Sequence, residues 1–378
     1  MGGAERWLVG LAGGLARAGF VHAGIASTGE VCAEDDPRIL AEARALGPVY
    51  RGRGSIAAMV GSAGPDLLVV WGLAELPGAE RFGGPVVLVS HGCGPFTRDV
   101  LKRCGPRATH WAAVSRPAAA AFPGQGTGDR EQGTGNRGQG TGREFGRVRR
   151  PLFSVPCPLS PVPYVAVLHN GIDPDRCQLR AGRHSLRRTW GLRPTEIAVG
   201  YVGRMSLEKH PLAACWAVSA LDGAADRAAR AVLVGAGGHQ DLVFREARRS
   251  TPGLVWAGPL DEMGDVYAAL DVAILASPSE GMSLGLLEAW YCGCPTVATP
   301  VGAVAELEEL HGQLTQRVRV GAERSELAAA VRQALAPEFA PVVQRARQAV
   351  RAHYTLAAMV DRWRDYLFTA LGNQAATD

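Results

Sequence analysis

The sequence predicts an α/β protein made of two β-α-β-rich halves, and three observations carry that reading. The first is length: 378 residues exceed the usual size of one domain and make two the natural count. The second is two successive runs of short apolar strand signals with helical segments between them. The third is the stretch from Ser277 to Trp290, where a short buried strand (271–276) meets a helix through a glycine-containing turn that sets Glu280 and Glu288 eight positions apart. In open α/β sheets ligands gather at the carboxyl ends of strands. A helix N-terminus there offers unpaired N–H groups and a positive dipole end.

Along the chain, the opening helix presents Trp7, Leu8, Leu11 and Leu15 on one apolar face, which needs a sheet to cover it. The first strand run reads Gly19 to Ser27, Asp66 to Gly72, Pro85 to His91, His110 to Ser115 and Tyr164 to Asn170, each ending in a turn or polar residue. The segment from about 123 to 163 interrupts it. There Gly-Gln-Gly-Thr-Gly recurs at 124–128 and 138–142, with a related Gln-Gly-Thr-Gly at 132–135. Such text cannot bury enough apolar surface to order itself, so a solvated, disordered insertion without a catalytic role is expected. Asp173 to Pro194 has few apolar runs and serves as an interdomain hinge. The second run reads Ile197 to Gly203, Ala231 to Gly235, Gly253 to Gly258, Asp271 to Ala276 and Pro295 to Thr299. An amphipathic helix from Thr355 to Leu371, carrying Trp363, Tyr366 and Phe368, closes the chain. The expected divisions are residues 1–176, 195–350 and a terminal helix at 354–372.

The strand-to-helix turn suggests its own chemistry. Gly281 lets the backbone approach a ligand, and Glu288, about one turn into the helix, could accept hydrogen bonds from the vicinal hydroxyls of a ribose. Glu280, in the loop, could do the same for a sugar hydroxyl. Against this stands the plain alternative that a glutamate on a helix usually forms a solvated face, so the pair alone is a weak signal.

Composition narrows the class. Hydrophobic residues at 47% and charged residues at 20% describe an ordinary globular protein. A net charge of +4 is small for this length and does not point to nucleic acid. Among the basic residues, Lys102 and Lys209 are the only lysines, so the lysine at 209 either answers a need for a compact point charge or is a chance survivor in an arginine-rich chain. The eight cysteines are scattered, and Cys292 and Cys294 have a spacing that suits neither a redox pair nor a zinc site. No apolar run is long enough to span a bilayer and the N-terminus lacks the parts of a signal peptide, so the expected location is cytoplasmic.

The text around Glu280 and Glu288 resembles the retaining glycosyltransferases of family 4, with both residues falling on that family's paired-glutamate motif. Gly203-Arg204-Met205-Ser206-Leu207-Glu208-Lys209 is similar to the family's Gly-Arg and Glu-Lys pair, with His210 standing where the family usually has glycine. Leu233 to Gly237 (with Gly235), Trp256 to Gly258, and Pro300 to Ala303 with Glu306 resemble its glycine-bearing strand ends. In the first half the match is looser. Gly2 and Gly3 resemble the glycine loop that opens the first helix, His91 a cleft histidine near the transferred sugar, Ser115 a strand-end serine, and Asn170 to Asp173 the turn that ends the first domain. In the family that glycine loop follows a strand. Here it begins at Met1, so a first strand is expected either upstream or to be lacking.

The resemblance implies a GT-B fold: two Rossmann-like domains facing each other across a cleft, with a terminal helix crossing back to the first. It implies catalytic roles for His91, Arg204, Lys209 and Glu280. Donor contacts would come from Gly2, Gly3, Gly203, Arg204, Lys209, Gly235, Glu280, Gly281, Met282, Ser283, Leu284 and Glu288. The implied reaction moves a sugar, with retention, from a nucleoside diphosphate sugar to a sugar, lipid-linked sugar or other hydroxyl acceptor, in glycan, polysaccharide or glycolipid synthesis. No cofactor and no metal are expected, because Arg204 and Lys209 offset the diphosphate charge. Asp173-Pro174-Asp175 is read as a turn rather than a metal site. Peripheral association with the inner membrane face fits a lipid-linked acceptor. A GT-B nucleotide-sugar epimerase and a non-catalytic nucleotide-sugar-binding subunit remain as alternatives.

Overall fold

The structure is a computed structural model that describes residues 3–20, 24–27, 37–51, 55–71, 82–104, 108–123, 165–221 and 228–372. The expected insertion and Gly2 lie outside the described residues. The first domain contains α1 (Gly3–Arg17), β1 (Ile25–Ser27), α2 (Pro37–Leu46), β2 (Val49–Arg51), α3 (Ser55–Ala63) and β3 (Leu68–Trp71). It continues with β4 (Val86–Ser90), α4 (Pro95–Cys104), β5 (His110–Ala113), α5 (Arg116–Ala119) and β6 (Val165–Val167). The second domain holds α6 (Arg183–Thr189), β7 (Ile197–Val202), α7 (Leu212–Leu221), β8 (Ala229–Val234), α8 (Gln240–Ser250), β9 (Val255–Gly258) and α9 (Met263–Ala269). After these come β10 (Val272–Leu275), α10 (Leu284–Cys292), β11 (Thr296–Ala298), α11 (Ala303–His311), β12 (Gln316–Arg317), α12 (Arg324–Leu335) and α13 (Ala340–His353). The closing helix is α14 (Leu356–Gly372).

Every strand pairing is parallel. The second domain carries one six-stranded sheet in the order β12-β11-β10-β7-β8-β9. Its inner strands β7, β8, β10 and β11 are short, mostly apolar runs that are largely buried, as a parallel sheet covered by helices requires. The order reverses between β10 and β7, so the crevice beyond the carboxyl ends of those two strands is where this topology places a ligand. In the first domain the described strands form two pieces, β1-β2 and β3-β4-β5-β6. Among the described residues α1 comes first in the element order. The short strands β2 and β12 were not apparent in the sequence: Val49–Arg51 and Gln316–Arg317 contain charged or polar residues and no apolar run to mark them.

Three apolar cores hold this arrangement. One packs α7 and α12 against the second sheet, through residues such as Val199, Leu233, Val218 and Val331. Another joins Trp7, Leu11 and Leu15 of α1 to Val87 and Val89 of β4 and to Met359, Val360, Trp363 and Leu367 of α14. The terminal helix therefore crosses back and shares the face of the first sheet with α1, where Trp7 and Trp363 meet edge to face at 5.6 Å. The third core runs continuously across both domains, from Leu88 and Trp111 through Ile172 to Leu287, Trp290 and Tyr354.

The segment expected to be a free hinge is in large part fastened to the second domain. Asp265, in α9, accepts backbone N–H bonds from Arg180 at 3.0 Å, Ala181 at 2.9 Å and Gly182 at 2.9 Å. Arg183 and Arg187 of α6 both pair with Asp271, at 2.7 and 3.1 Å. The sequence reading missed this because a stretch with few apolar residues can be anchored by hydrogen bonds instead.

Candidate active site

The loop after β7 and the loop after β10 meet at the reversal point of the second sheet. Lys209 closes the short helical turn Leu207–Lys209, and its Nζ lies 2.7 Å from Glu280 Oε2, with both side chains less than a quarter exposed. Two predicted site residues from distant parts of the chain are thus in direct contact. Arg204 lies on the same loop, with its carbonyl held by the Tyr201 hydroxyl at 2.8 Å and its guanidinium half-exposed, 3.5 Å from Glu208. Its charge is thus available at the rim. Gly203 and Gly235 end β7 and β8 side by side, so closely that a Cβ on Gly235 would collide with the Gly203 carbonyl.

Ser283 caps α10 by accepting the Leu286 N–H at 3.3 Å, and the buried Tyr267 hydroxyl donates to the Gly285 carbonyl at 2.7 Å. These two bonds fix the first turn of the helix and leave its N-terminal dipole end facing the crevice. Met282 departs from the expected donor contact: its side chain is buried at the domain interface, where its sulfur accepts the Asn170 N–H at 3.2 Å. The physical reason is the first domain, which covers this side of the loop and offers a buried partner.

Glu288 lines a cavity of ≈ 320 Å³ between α1, α10 and α14, together with Arg6, Arg38, Asp173, Arg176, Asp261 and Leu284. Burial pushes its carboxyl pKa up to about 7, with Arg6 opposing the rise and Asp173 adding to it. Arg176 is the nearest cation, with Nε 4.0 Å from Glu288 Oε1. At the mouth, Asp261 of the second domain pairs with Arg6 at 3.3 Å and with Arg38, both from the first domain. Gly3, a predicted donor contact, begins α1, whose next turns supply Arg6, Trp7 and Gly10 to this cavity. None of these arginines was singled out from sequence, because nothing local distinguishes them from the chain's many other arginines.

His91 follows β4 at the junction of the domains. Its ring meets Trp7 edge to face at 4.4 Å, and its Nε2 is buried without a hydrogen-bond partner among the described residues. Burial lowers its pKa to about 4, so the ring is neutral at neutral pH. Ser115 is fully buried and caps α5 through a 3.3 Å bond from Ala118. Glu306, in α11, turns toward the first domain: it accepts the Arg116 N–H and binds His169 Nε2, both at 2.7 Å. His210 adopts a left-handed backbone, φ 52°, and is the one non-glycine residue with positive φ among the described residues. That is the position where the resembling family has glycine.

Asp173 accepts the Asp175 N–H at 3.0 Å and caps the turn Pro174–Cys177, as expected of a turn. Among the described residues no group of three His, Cys, Asp or Glu side chains could hold a metal ion. No helix among them is long and apolar enough to cross a membrane.

Known proteins resemble this chain in part of its sequence and in its fold. Residues 196–337 match the family described as Glycosyl transferases group 1. The chain is 34% identical over 132 residues to a GDP-mannose-dependent alpha-(1-6)-phosphatidylinositol dimannoside mannosyltransferase of Mycobacterium tuberculosis, covering 32% of each chain. It is 32% identical over 152 residues to the lipopolysaccharide core biosynthesis mannosyltransferase LpsB of Rhizobium meliloti, covering 39% of this chain and 43% of that one. The chain thus spans well under half the length of the curated relatives it matches. The crystal structure of Anabaena Alr3699/HepE in complex with UDP-glucose superposes with a TM-score of 0.72 over 98% of this chain and 96% of that one, at 20% identity. At that identity the likeness speaks for the fold. Residues 196–337, within the second domain, are thus similar to the Glycosyl transferases group 1 family, and the described residues have the GT-B fold.

Proposed function

We propose that this chain is a retaining glycosyltransferase that moves a sugar from a nucleoside diphosphate sugar to an acceptor hydroxyl. The observation that carries the reading is the meeting of Lys209 and Glu280 at the reversal point of the second sheet, beside the capped N-terminus of α10 and the cavity of Glu288. The donor's ribose would lie against Glu288 and its diphosphate against Arg204, Lys209 and the α10 N-terminus. Glu280, already oriented by Lys209, would receive the sugar hydroxyls, with neutral His91 across the cleft.

In the reaction the acceptor oxygen forms a bond to the anomeric carbon on the face that the diphosphate leaves. The bond from that carbon to the phosphate oxygen breaks, and the acceptor's proton passes to the departing diphosphate. Arg204 and Lys209 stabilise the charge that grows on the leaving group, a task that needs no metal. The acceptor is a sugar, lipid-linked sugar or other hydroxyl compound, and work at the cytoplasmic face of a membrane fits the lipid-linked class.

Thermal shift with UDP, GDP, UDP-glucose and GDP-mannose tests the reading, since a ligand that binds only the folded state raises its apparent stability. At least one should stabilise the protein, and the matching sugar nucleotide should be turned over, read as release of nucleoside diphosphate. Failure of all four to bind would overturn the reading. Binding without release of nucleoside diphosphate would instead mark a nucleotide-sugar-binding subunit without turnover.

A further inference from the structure

The loop that carries Glu280 is gripped by the first domain at four consecutive residues. The Cys93 thiol lies 3.7 Å from the Ser279 hydroxyl and donates to the Glu280 carbonyl at 3.4 Å. Gly281 is pressed so close to the His91 carbonyl that a Cβ there would collide with it. Asn170 Nδ2 donates to the Met282 carbonyl at 2.9 Å, and Asn170 N–H reaches the Met282 sulfur. From its own domain the loop main chain is held here at Gly281, whose carbonyl accepts the Ala303 N–H at 2.8 Å.

We propose that Cys93 and Asn170 are positioning residues of the first domain that set the main chain of the Glu280 loop, so that this carboxylate takes its working geometry only while the two domains are together. The inference rests on the reading of Glu280 as the carboxylate that faces the transferred sugar. Its physical basis is that Lys209 fixes only the end of the Glu280 side chain, whereas the loop carbonyls on both sides of Gly281 are bonded from the opposite domain. A thiol at 93 and an amide at 170 are both donors, matched to carbonyl acceptors that would otherwise be left without a partner in a part-buried interface. Neither residue touches the substrate in this arrangement. Both act through the loop.

The test uses the full chain with Cys93→Ala, Cys93→Ser and Asn170→Ala. Hydrogen exchange of a peptide covering residues 279–283 reads the loop without requiring activity, and should speed up in both alanine variants but not in Cys93→Ser. Hydrolysis of UDP-glucose and GDP-mannose, with water as acceptor, reads the chemistry. In the alanine variants kcat should fall by about fivefold or more, the effect of losing one hydrogen bond amplified by misplacement of a reacting group. Nucleoside diphosphate affinity by calorimetry should change by less than about twofold, because the ribose and diphosphate contacts lie elsewhere, and the serine should restore kcat. Unchanged exchange and kcat in Cys93→Ala would overturn the proposal, as would equal losses of affinity, kcat and Tm, which mark a general folding defect. If the wild type neither binds nor hydrolyses either nucleotide, the functional reading fails, and the exchange data still decide whether these residues set the loop.

Discussion

Lys209 Nζ and Glu280 Oε2 lie 2.7 Å apart, joining the loop after β7 to the loop after β10 at the point where the sheet order reverses. The pair shares one cation between two tasks: it orients a carboxylate and leaves a positive charge beside Arg204 for a diphosphate. Replacing Arg204 and Lys209 together with alanine should lower turnover by a factor on the order of 100 or more, because the interaction grows as negative charge develops on the leaving group. Donor affinity should weaken less. Steady-state kinetics check this, and excess EDTA should leave activity in place; loss of activity restored by Mn²⁺ would defeat the metal-free mechanism.

Glu288 links stability to function with opposite signs. Its carboxyl pKa in the folded protein is about 7, above the ordinary 4.5, chiefly because it is buried. A raised acid pKa means that the folded state binds the extra proton, so its contribution to stability is full below about pH 4.5 and is lost as pH rises through about 7. Glu288→Gln removes that loss. Relative to wild type, its Tm should rise between about pH 5 and pH 8, by an amount equivalent to about 1–3 kcal/mol. The same variant should bind nucleotide more weakly. A variant less stable than wild type at the higher pH would contradict the burial argument.

Asp265 is the reverse case. Burial alone would raise its pKa, but the N–H groups of Ala181, Gly182 and Arg180, with the charge of Arg180, hold it below the usual carboxylate range. Its contribution is present above the unfolded pKa and fades as pH falls through the folded one. Asp265→Ala should destabilise the protein by about 1–3 kcal/mol, since three part-buried N–H groups lose their acceptor. Thermal unfolding at neutral pH measures it, and the deficit should shrink in acid.

His210 occupies a left-handed backbone at a cost of roughly 1–2 kcal/mol for a residue with a Cβ. Its ring meets Trp216 edge to face at 4.7 Å, a contact worth about 0.5–1.5 kcal/mol. The two nearly cancel, so His210→Gly should shift Tm by no more than about 4 °C in either direction. A larger fall would mean that the ring contributes packing beyond the one contact.

Gly281 is packed against the first domain with no room for a side chain. Gly281→Ala should reduce turnover far more than nucleotide affinity, because its Cβ has no space beside the His91 carbonyl and the domains must part to admit it. Small-angle scattering would report the opening. An active, compact Gly281→Ala protein would show that the contact is soft.

The sequence by itself determined the two parallel-sheet halves, ten of the twelve described strands, the crossing terminal helix and the positions of Glu280, Glu288, Arg204 and Lys209. These were legible because each rests on local text: a short apolar run ending in a turn or polar residue, a glycine at a strand end, a charged residue fixed relative to a helix start. Tertiary structure alone decided the rest. It buried Glu288 in a cavity walled by Arg6 and Arg176, turned Met282 away from the crevice toward Asn170, and brought Cys93 to a loop 187 residues away in sequence. Burial and contacts of that kind depend on how two domains pack across a cleft, and no periodicity within either domain encodes the register of the other. The hinge shows the same division. Its lack of apolar residues was visible, but the carboxylates of Asp265 and Asp271 that anchor it lie about 80 residues downstream, and only the folded chain brings them together.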